Sequence, residues 1–445
     1  MRNEQHTLCW ISLGCPKNLV DTERVLGRLV ERGWLICERP EEAEIIIVNT
    51  CGFIREAAAE SKRVLGELAQ LKNNGCRGII AAGCLVERMG NALSGDVPDV
   101  DAFVGLANAD DIEAACTDIL RGRGRLFTRK PRPYDTDTGR LRITPHYYSY
   151  LQITDGCNNR CSYCVIPLIR GPLRSKPFDA VIEEARELIS DGVRELNVIG
   201  QDTTSYGSDL PGNPGLAPLL RALATLDAHW LRLLYAHPAH LTDEVIDEVA
   251  ANAKIVKYID LPIQHINDGV LRRMNRRVGR GHVERLIARI RERIPGVVLR
   301  TSVIVGLPGE TDAAFDELVA FIEDTRFERL GAFAYSHEEG VPAYDFPDQV
   351  PEKVKQKRLN VIMRRQQRIA AECAQAMAGK TVEVVISGRS KEHRRLMEGR
   401  TCGDAPDVDG MIYLSGDRLP PGTFATARIT GSRGYDLAGD IVDTD

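Results

Sequence analysis

The sequence predicts an α/β chain in three parts. These are an N-terminal parallel α/β sheet domain over residues 6–120, a central partial (β/α)6 TIM-like barrel over 143–376, and a small antiparallel, OB-like β-barrel over 377–445, with a linker at 121–142. Three observations carry this. Strand-length apolar runs alternate with helical patterns through most of the chain, the order of a parallel sheet covered by helices. A stretch rich in Gly, Arg and Pro, with little apolar periodicity, interrupts the alternation at about 122–145. Beyond residue 378 the rhythm changes to short strand-like runs punctuated by glycine.

In the first part, apolar runs at 8–13, 44–49 and 78–82 have strand length, and helical patterns at 19–32 and 54–73 lie between them. The βαβαβ order puts all three strand ends on one edge of a parallel sheet, where ligands gather. Just past each run stands a cysteine: Cys15, Cys51 and Cys84. A three-thiolate cluster site is the chemical reading. The competing one is small residues at tight turns beside Gly14, Gly52 and Gly83.

The second part shows strand-like runs at 147–154, 194–200, 230–236, 256–261, 298–305 and 330–335, separated by amphipathic stretches such as 179–190, 243–252, 283–294 and 313–325. Six β/α units make a partial barrel, whose chemistry belongs on the loops at the carboxyl ends of its strands. The first of those loops reads Gly156-Cys-Asn-Asn-Arg-Cys-Ser-Tyr-Cys-Val165 and holds Cys157, Cys161 and Cys164. Thiolates suit iron–sulfur clusters, and three of them leave one iron of a four-iron cluster open to a small molecule. Zinc would want a fourth ligand and commonly paired Cys-x2-Cys knuckles. Gln201, His265, Gly306, Gly309 and Glu310 fall on the same rim, and Arg300 and Ser302 lie on the fifth strand leading to it. Glycines at 306 and 309 would let backbone approach a ligand closely.

A helical pattern follows residue 351 and runs to about 378, and strand-like runs at 382–386, 411–414 and 423–429 then mark the third part. From Lys380 onward there are nine Lys or Arg against eleven Asp or Glu, so the module lacks a strong nucleic-acid footprint and suits a basic protein partner better. Arg389, Lys391, Arg394 and Arg395 form a local basic group, read as a solvated loop ahead of a phosphate-binding patch. Across the whole chain the net charge is −5, with 43% hydrophobic and 27% charged residues, an ordinary globular balance. No signal-peptide core and no 18-residue apolar stretch is present, which argues against export or membrane spanning and for the cytoplasm. Twelve cysteines in a reducing compartment read as metal sites rather than disulfides; Cys9, Cys37, Cys76, Cys116, Cys373 and Cys402 lack a pattern and read as structural thiols.

The spacing Cys-x3-Cys-x2-Cys, with Tyr163 before the last cysteine, resembles the radical S-adenosylmethionine (SAM) superfamily. The three parts together resemble the methylthiotransferase family, in which an N-terminal three-cysteine domain precedes a radical SAM core and a C-terminal TRAM domain. The runs Gly14-Cys-Pro-Lys-Asn-Leu-Val-Asp21, Val165-Ile-Pro-Leu-Ile-Arg-Gly-Pro-Leu-Arg174 and Gly200-Gln-Asp-Thr-Thr-Ser-Tyr-Gly207 look like the branch that modifies an aspartate of small-subunit ribosomal protein S-twelve. The tRNA-modifying branch carries an Asn-rich segment where this chain has Gln201 to Thr204.

That resemblance implies two [4Fe-4S] clusters. One, on Cys157, Cys161 and Cys164, would cleave SAM to a 5′-deoxyadenosyl radical. The other, on Cys15, Cys51 and Cys84, would carry the sulfur that ends as 3-methylthioaspartate. It places Tyr163 near the adenine and Gly306, Gly309 and Glu310 among the SAM contacts, with Arg300, Ser302, Gln201 and His265 as further cofactor-binding candidates; it names no catalytic side chain. An electron donor such as flavodoxin or ferredoxin is implied as a partner, alongside the ribosomal protein, free or in the subunit; nucleic-acid contact is possible but not indicated by charge. A tRNA adenosine methylthiotransferase is the nearer alternative. A two-cluster electron carrier with a binding module is the more distant one.

Overall fold

The computed structural model describes residues 5–106, 108–123, 127–128 and 137–444. Its N-terminal sheet has strands β1 Thr7–Ser12, β2 Leu35–Ile36, β3 Ile45–Thr50, β4 Gly78–Gly83, β5 Ala102–Val104 and β6 Phe127–Thr128, in the order β2-β1-β3-β4-β5-β6. Every pairing is parallel. Central strands β3 and β4 are buried on both faces, which explains their unbroken apolar sequences. Helices Pro16–Glu31 and Arg55–Ala69 are the connections expected between β1, β3 and β4; β5, β6 and the helix Ala109–Leu120 extend the sheet beyond the three strands the sequence marks.

Residues 124–126 and 129–136 of the expected linker lie outside the described residues. From Asp137 the chain is anchored by two buried side chains, Asp137 and Arg140. Asp137 pairs with Lys176 at 2.9 Å and with Arg24 at 3.3 Å. Arg140 donates to the Tyr150 carbonyl at 3.0 Å and to Ser149 Oγ at 3.2 Å. Gly27 is required where this stretch crosses the first helix, because any Cβ there would collide with the Gly139 carbonyl.

The central sheet is also wholly parallel. Strands β7 Tyr148–Gln152, β10 Glu195–Ile199, β11 Trp230–Leu233, β12 Ile255–Asp260, β13 Val298–Val305 and β14 Arg329–Ala334 run in the order β14-β13-β12-β11-β10-β7. The run expected as a single strand at 147–154 divides. Its last part becomes β8 Thr154–Asp155, which turns out of the sheet to pair antiparallel with β9 Arg174–Ser175 and so pins the base of the cysteine loop. Leu299, Val303 and Val305 of β13 join the main core under the helices, while Arg300, Ser302 and Ile304 face the other way, into the barrel.

The C-terminal strands β15 Thr381–Arg389, β16 Met397–Thr401, β17 Ile412–Ser415, β18 Phe424–Arg433 and β19 Asp436–Thr444 close in the order β15-β16-β17-β19-β18. The expectation of an antiparallel barrel holds for every pair but β17 with β19, which is parallel. Residues 400–409 of this barrel fill the amino end of the central one. Arg400 pairs with Glu195 at 2.5 Å and Glu195 with Arg232 at 2.9 Å. Asp404 pairs with Arg329 at 2.5 Å, Asp407 accepts from the hydroxyls of Tyr148 and Tyr150 at 3.1 Å, and Asp409 accepts from Tyr258 at 2.7 Å. Glu195, Arg232, Arg400 and Asp404 are buried there and tolerated because each has a charged partner, whereas Asp407 stays exposed. Among the described residues no helix is long and apolar enough to cross a membrane.

Candidate active site

The core loop leaves the barrel rim after β8. Gly156, at φ +71°, passes so close to the Pro172 carbonyl that no side chain would fit. The Cys157 amide donates to the Gly171 carbonyl at 3.1 Å and the Cys164 amide to the Cys161 carbonyl at 3.2 Å, folding the three cysteines into one compact turn. Burial pushes the Cys157 thiol up to about 11 and Cys164 to about 12, and neighbouring sulfurs add to both shifts. Thiols raised in this way by desolvation and mutual repulsion gain most from a cationic group among them.

The second triad is assembled by the N-terminal sheet. Cys15 caps the helix after β1, Cys51 directly follows β3, and Cys84 opens the helix after β4. Asn18 ties the strand ends together, donating to the carbonyls of Leu13 at 3.0 Å and Thr50 at 3.2 Å. A Cβ added at Gly14 would lie 2.9 Å from Cys51 Cβ, so the turn that carries Cys15 rests against Cys51. Burial pushes Cys84 up to about 12, with Cys15 and Cys51 contributing and Arg170 opposing.

Both donor sets fit iron–sulfur clusters better than zinc. A tetrahedral zinc with Zn–S of about 2.3 Å needs sulfurs about 3.8 Å apart. Among the described residues, the only set of three metal-capable side chains with ligand atoms all within 4.8 Å is Asp202, His237 and His240; neither cysteine triad is that tight. That set on the rim is a hydrogen-bonded knot. The Asp202 carboxylate pairs with His240 at 2.7 Å and accepts from Ser205 and from Asn159 of the cysteine loop, each at 2.7 Å. Burial would raise its pKa, but the hydrogen bond from His240, the neighbouring His237 and the hydrogen bond from Thr204 hold it well below the usual carboxylate range. A cavity of about 570 Å³ opens beside it, lined by Asn158, Asn159, Thr204, Ser205, His240 and Arg277.

Between the triads stands Arg170, at the end of helix Ile166–Arg170 and only 3% exposed. Its guanidinium donates to Asp155 at 3.1 Å, to Asp21 and Asn18 each at 2.8 Å, and to Cys84 Sγ at 3.5 Å. Lys17 makes a second bridge, donating to the Gly200 carbonyl at 3.2 Å and lying 3.4 Å over the Tyr235 ring. The two cysteine sites therefore face one another across a buried polar seam.

Several expected cofactor contacts are engaged within the protein. Gln201 Nε2 donates to Asp155 at 3.2 Å, which puts it beside the seam. Tyr163 packs near Met274, Leu307 and Tyr335 below the core loop. Glu310 accepts from the Gly306 amide at 2.7 Å and pairs with Arg358 at 2.9 Å, and His265 stands 3.7 Å behind it. Burial keeps His265 neutral, with its pKa pushed down to about 3. Gly306 and Gly309 have φ of +78° and +80°, and the side chains of Lys355 and Arg273 cover the faces a Cβ would occupy. Arg300 points toward the C-terminal domain, pairing with Asp260 at 2.8 Å and Asp409 at 3.6 Å. Ser302 faces the barrel interior beside it. Sequence reasoning did not single out Arg170 or Asp202 as site residues; the only signal was their presence in the quoted runs.

Comparison with known proteins agrees with this layout. Residues 151–322 match the Radical SAM superfamily, residues 7–105 the Uncharacterized protein family UPF0004, and residues 378–442 the TRAM domain. Among solved structures, the radical S-adenosylmethionine methyltransferase TsrM from Kitasatospora setae superposes with a TM-score of 0.54 at 16% identity, covering 74% of this chain and 73% of that one. The cobalamin-dependent S-adenosylmethionine radical enzyme OxsB gives 0.53 at 11% identity, covering 81% and 56%. At those identities the likeness is one of fold. Sequence relatives are nearer. Ribosomal protein uS12 methylthiotransferase RimO of Geobacter sulfurreducens is 44% identical over 99% of this chain and 100% of its own length. The proteins of that name from Pelotomaculum thermopropionicum and Myxococcus xanthus are 45% and 42% identical, covering 97% and 98% of this chain and 98% and 92% of their own. With the three parts in the same order and near-complete coverage, the chain belongs to the RimO family of ribosomal protein uS12 methylthiotransferases.

Proposed function

We infer that this protein adds a methylthio group to the β-carbon of an aspartate in ribosomal protein uS12, giving 3-methylthioaspartate. Cys157, Cys161 and Cys164 would hold the cluster that supplies SAM cleavage, and Cys15, Cys51 and Cys84 would hold the cluster that supplies sulfur. One observation supports this above the others: two three-thiol sites on the carboxyl edges of two parallel sheets, joined across a buried seam. When bound, the clusters and SAM supply the one-electron and sulfur-transfer chemistry that an unactivated carbon requires. The chain's residues position and enclose. The Gly156 and Gly171 turns fix the core loop, and Asp202 sets a fixed negative charge beside it, the sign that attracts the cationic centres of SAM. The N-terminal domain covers the rim through Lys17, Arg170 and the Arg88–Glu338 pair at 2.7 Å, which keeps water from the space between the sites.

The N-terminal domain over 6–120, the radical SAM core over 143–376 and the TRAM domain over 377–445 act as one unit in this reading, in the cytoplasm, with flavodoxin or ferredoxin as electron donor. Mass spectrometry of uS12 from cells with and without the protein tests it. A methylthioaspartate that disappears with the gene is expected; unchanged uS12 alongside a missing methylthio group on a tRNA adenosine would contradict it.

A further inference from the structure

We propose that Arg170 is a positioning residue that ties the Cys84 thiolate to the core cysteine loop and shifts the reduction equilibrium of the cluster on Cys15, Cys51 and Cys84. This rests on the two-cluster reading above.

Arg170 is the single described side chain that hydrogen-bonds to a cysteine of the N-terminal triad while belonging to the helix that follows the core triad. One branch of its guanidinium holds Asp155, the residue before Gly156 and Cys157, at 3.1 Å. The other branch holds Asp21 and Asn18, on the helix that Cys15 caps, and reaches Cys84 Sγ at 3.5 Å. An arginine fork can make these contacts together; a lysine ammonium cannot span them. All four partners are buried, so the geometry is fixed by packing and is little screened by salt.

A permanent cation donating N–H to a cluster thiolate stabilises the more negative, reduced form, so the contact raises the reduction potential of that cluster. Asp21 and Asp155 would otherwise push in the opposite direction, and Arg170 offsets them at the sulfur. The core triad has its own cationic neighbour in Arg276, 3.8 Å from Cys161 Sγ, so each site has a separate guanidinium.

The test uses the full chain with Cys157, Cys161 and Cys164 replaced by Ala, so that only the N-terminal site can report. Reconstituted anaerobically with iron and sulfide, it is titrated by electron paramagnetic resonance with and without Arg170→Gln. Arg24 and Arg174 still face Asp21 and Asp155 in that variant, at 3.8 and 2.9 Å. The expected result is about a tenfold fall in the reduced-to-oxidised ratio at fixed potential, a shift of about 59 mV to lower potential. Arg170→Lys should fall between the two. Glu338→Gln, which breaks an ion pair across the same domain seam without touching a cysteine, should leave the potential unchanged. An Arg170→Gln titration that overlays its parent, with iron retained, overturns the proposal. Iron lost in both Arg170 variants but kept in Glu338→Gln supports the tie to Cys84, and iron lost in all three overturns it. No iron in the parent would instead refute the two-cluster reading.

Discussion

Cys157, Cys161 and Cys164 lie within eight residues of one loop, folded by that loop's own turns, whereas Cys15, Cys51 and Cys84 are brought together only when β1, β3 and β4 pair in register. The same three-thiol grouping is thus built once locally and once by tertiary structure. A local triad needs little more than its loop and the strand beneath it. An assembled triad inherits every weakness of the sheet that holds it, and gains a site open toward a neighbouring domain.

Replacing the core triad by Ala is the most severe way to probe the difference. Iron should fall from about eight per chain to about half, with SAM cleavage abolished. Because Cys15, Cys51 and Cys84 stand on a separate sheet, the N-terminal iron should stay; its disappearance would mean that the two sites do not fold independently.

A milder change should break only the assembled site. Gly83, the last residue of β4, sits at φ +93° directly before Cys84, and a side chain there would collide with Asn49 Oδ1 on β3. Gly83→Val should cost the N-terminal domain about 3 kcal/mol through backbone strain and the clash. Iron analysis should show loss confined to the N-terminal half while SAM cleavage continues. Equal loss from both halves would show that the triads are not separately built.

The smallest expected effect lies at the opposite end of the barrel. Arg400→Met leaves Glu195 with Arg232 alone and removes a buried contact to the C-terminal domain, costing about 3 kcal/mol, visible as a lower thermal midpoint. Both triads are remote from that contact, so iron content and SAM cleavage should be unchanged at 25 °C. Lost iron in this variant would tie the amino end of the barrel to the cysteine rim.

Legibility follows the same division. The core triad could be read directly because its spacing is sequential. The N-terminal triad could be read because a βαβαβ order dictates where strand ends meet, a topological rule that needs no side-chain contact. Arg170 could not be singled out: its partners lie up to 152 positions away, and nothing local marks an arginine as buried. Glu310 and His265 lie on the rim as expected, yet they turn back toward Arg358, since a loop position does not reveal which way its side chain points. Strands β16 and β19 escaped because Glu398 and Arg400, and Asp440 and Asp443, break the apolar alternation on which strand recognition depends. The docking of residues 400–409 under the barrel was illegible for the same reason: Asp404 and Asp409 read as solvent-facing until Arg329 and Tyr258 from distant strands meet them.

A paired assay of the Cys15→Ala, Cys51→Ala, Cys84→Ala protein with reductant, SAM and uS12 separates the two roles. If the assembled triad carries sulfur and the local one cleaves SAM, 5′-deoxyadenosine should still form while methylthioaspartate on uS12 falls below detection. Methylthioaspartate formed at the rate of the unaltered protein, from a folded triple variant, would contradict the division of labour between the two sites.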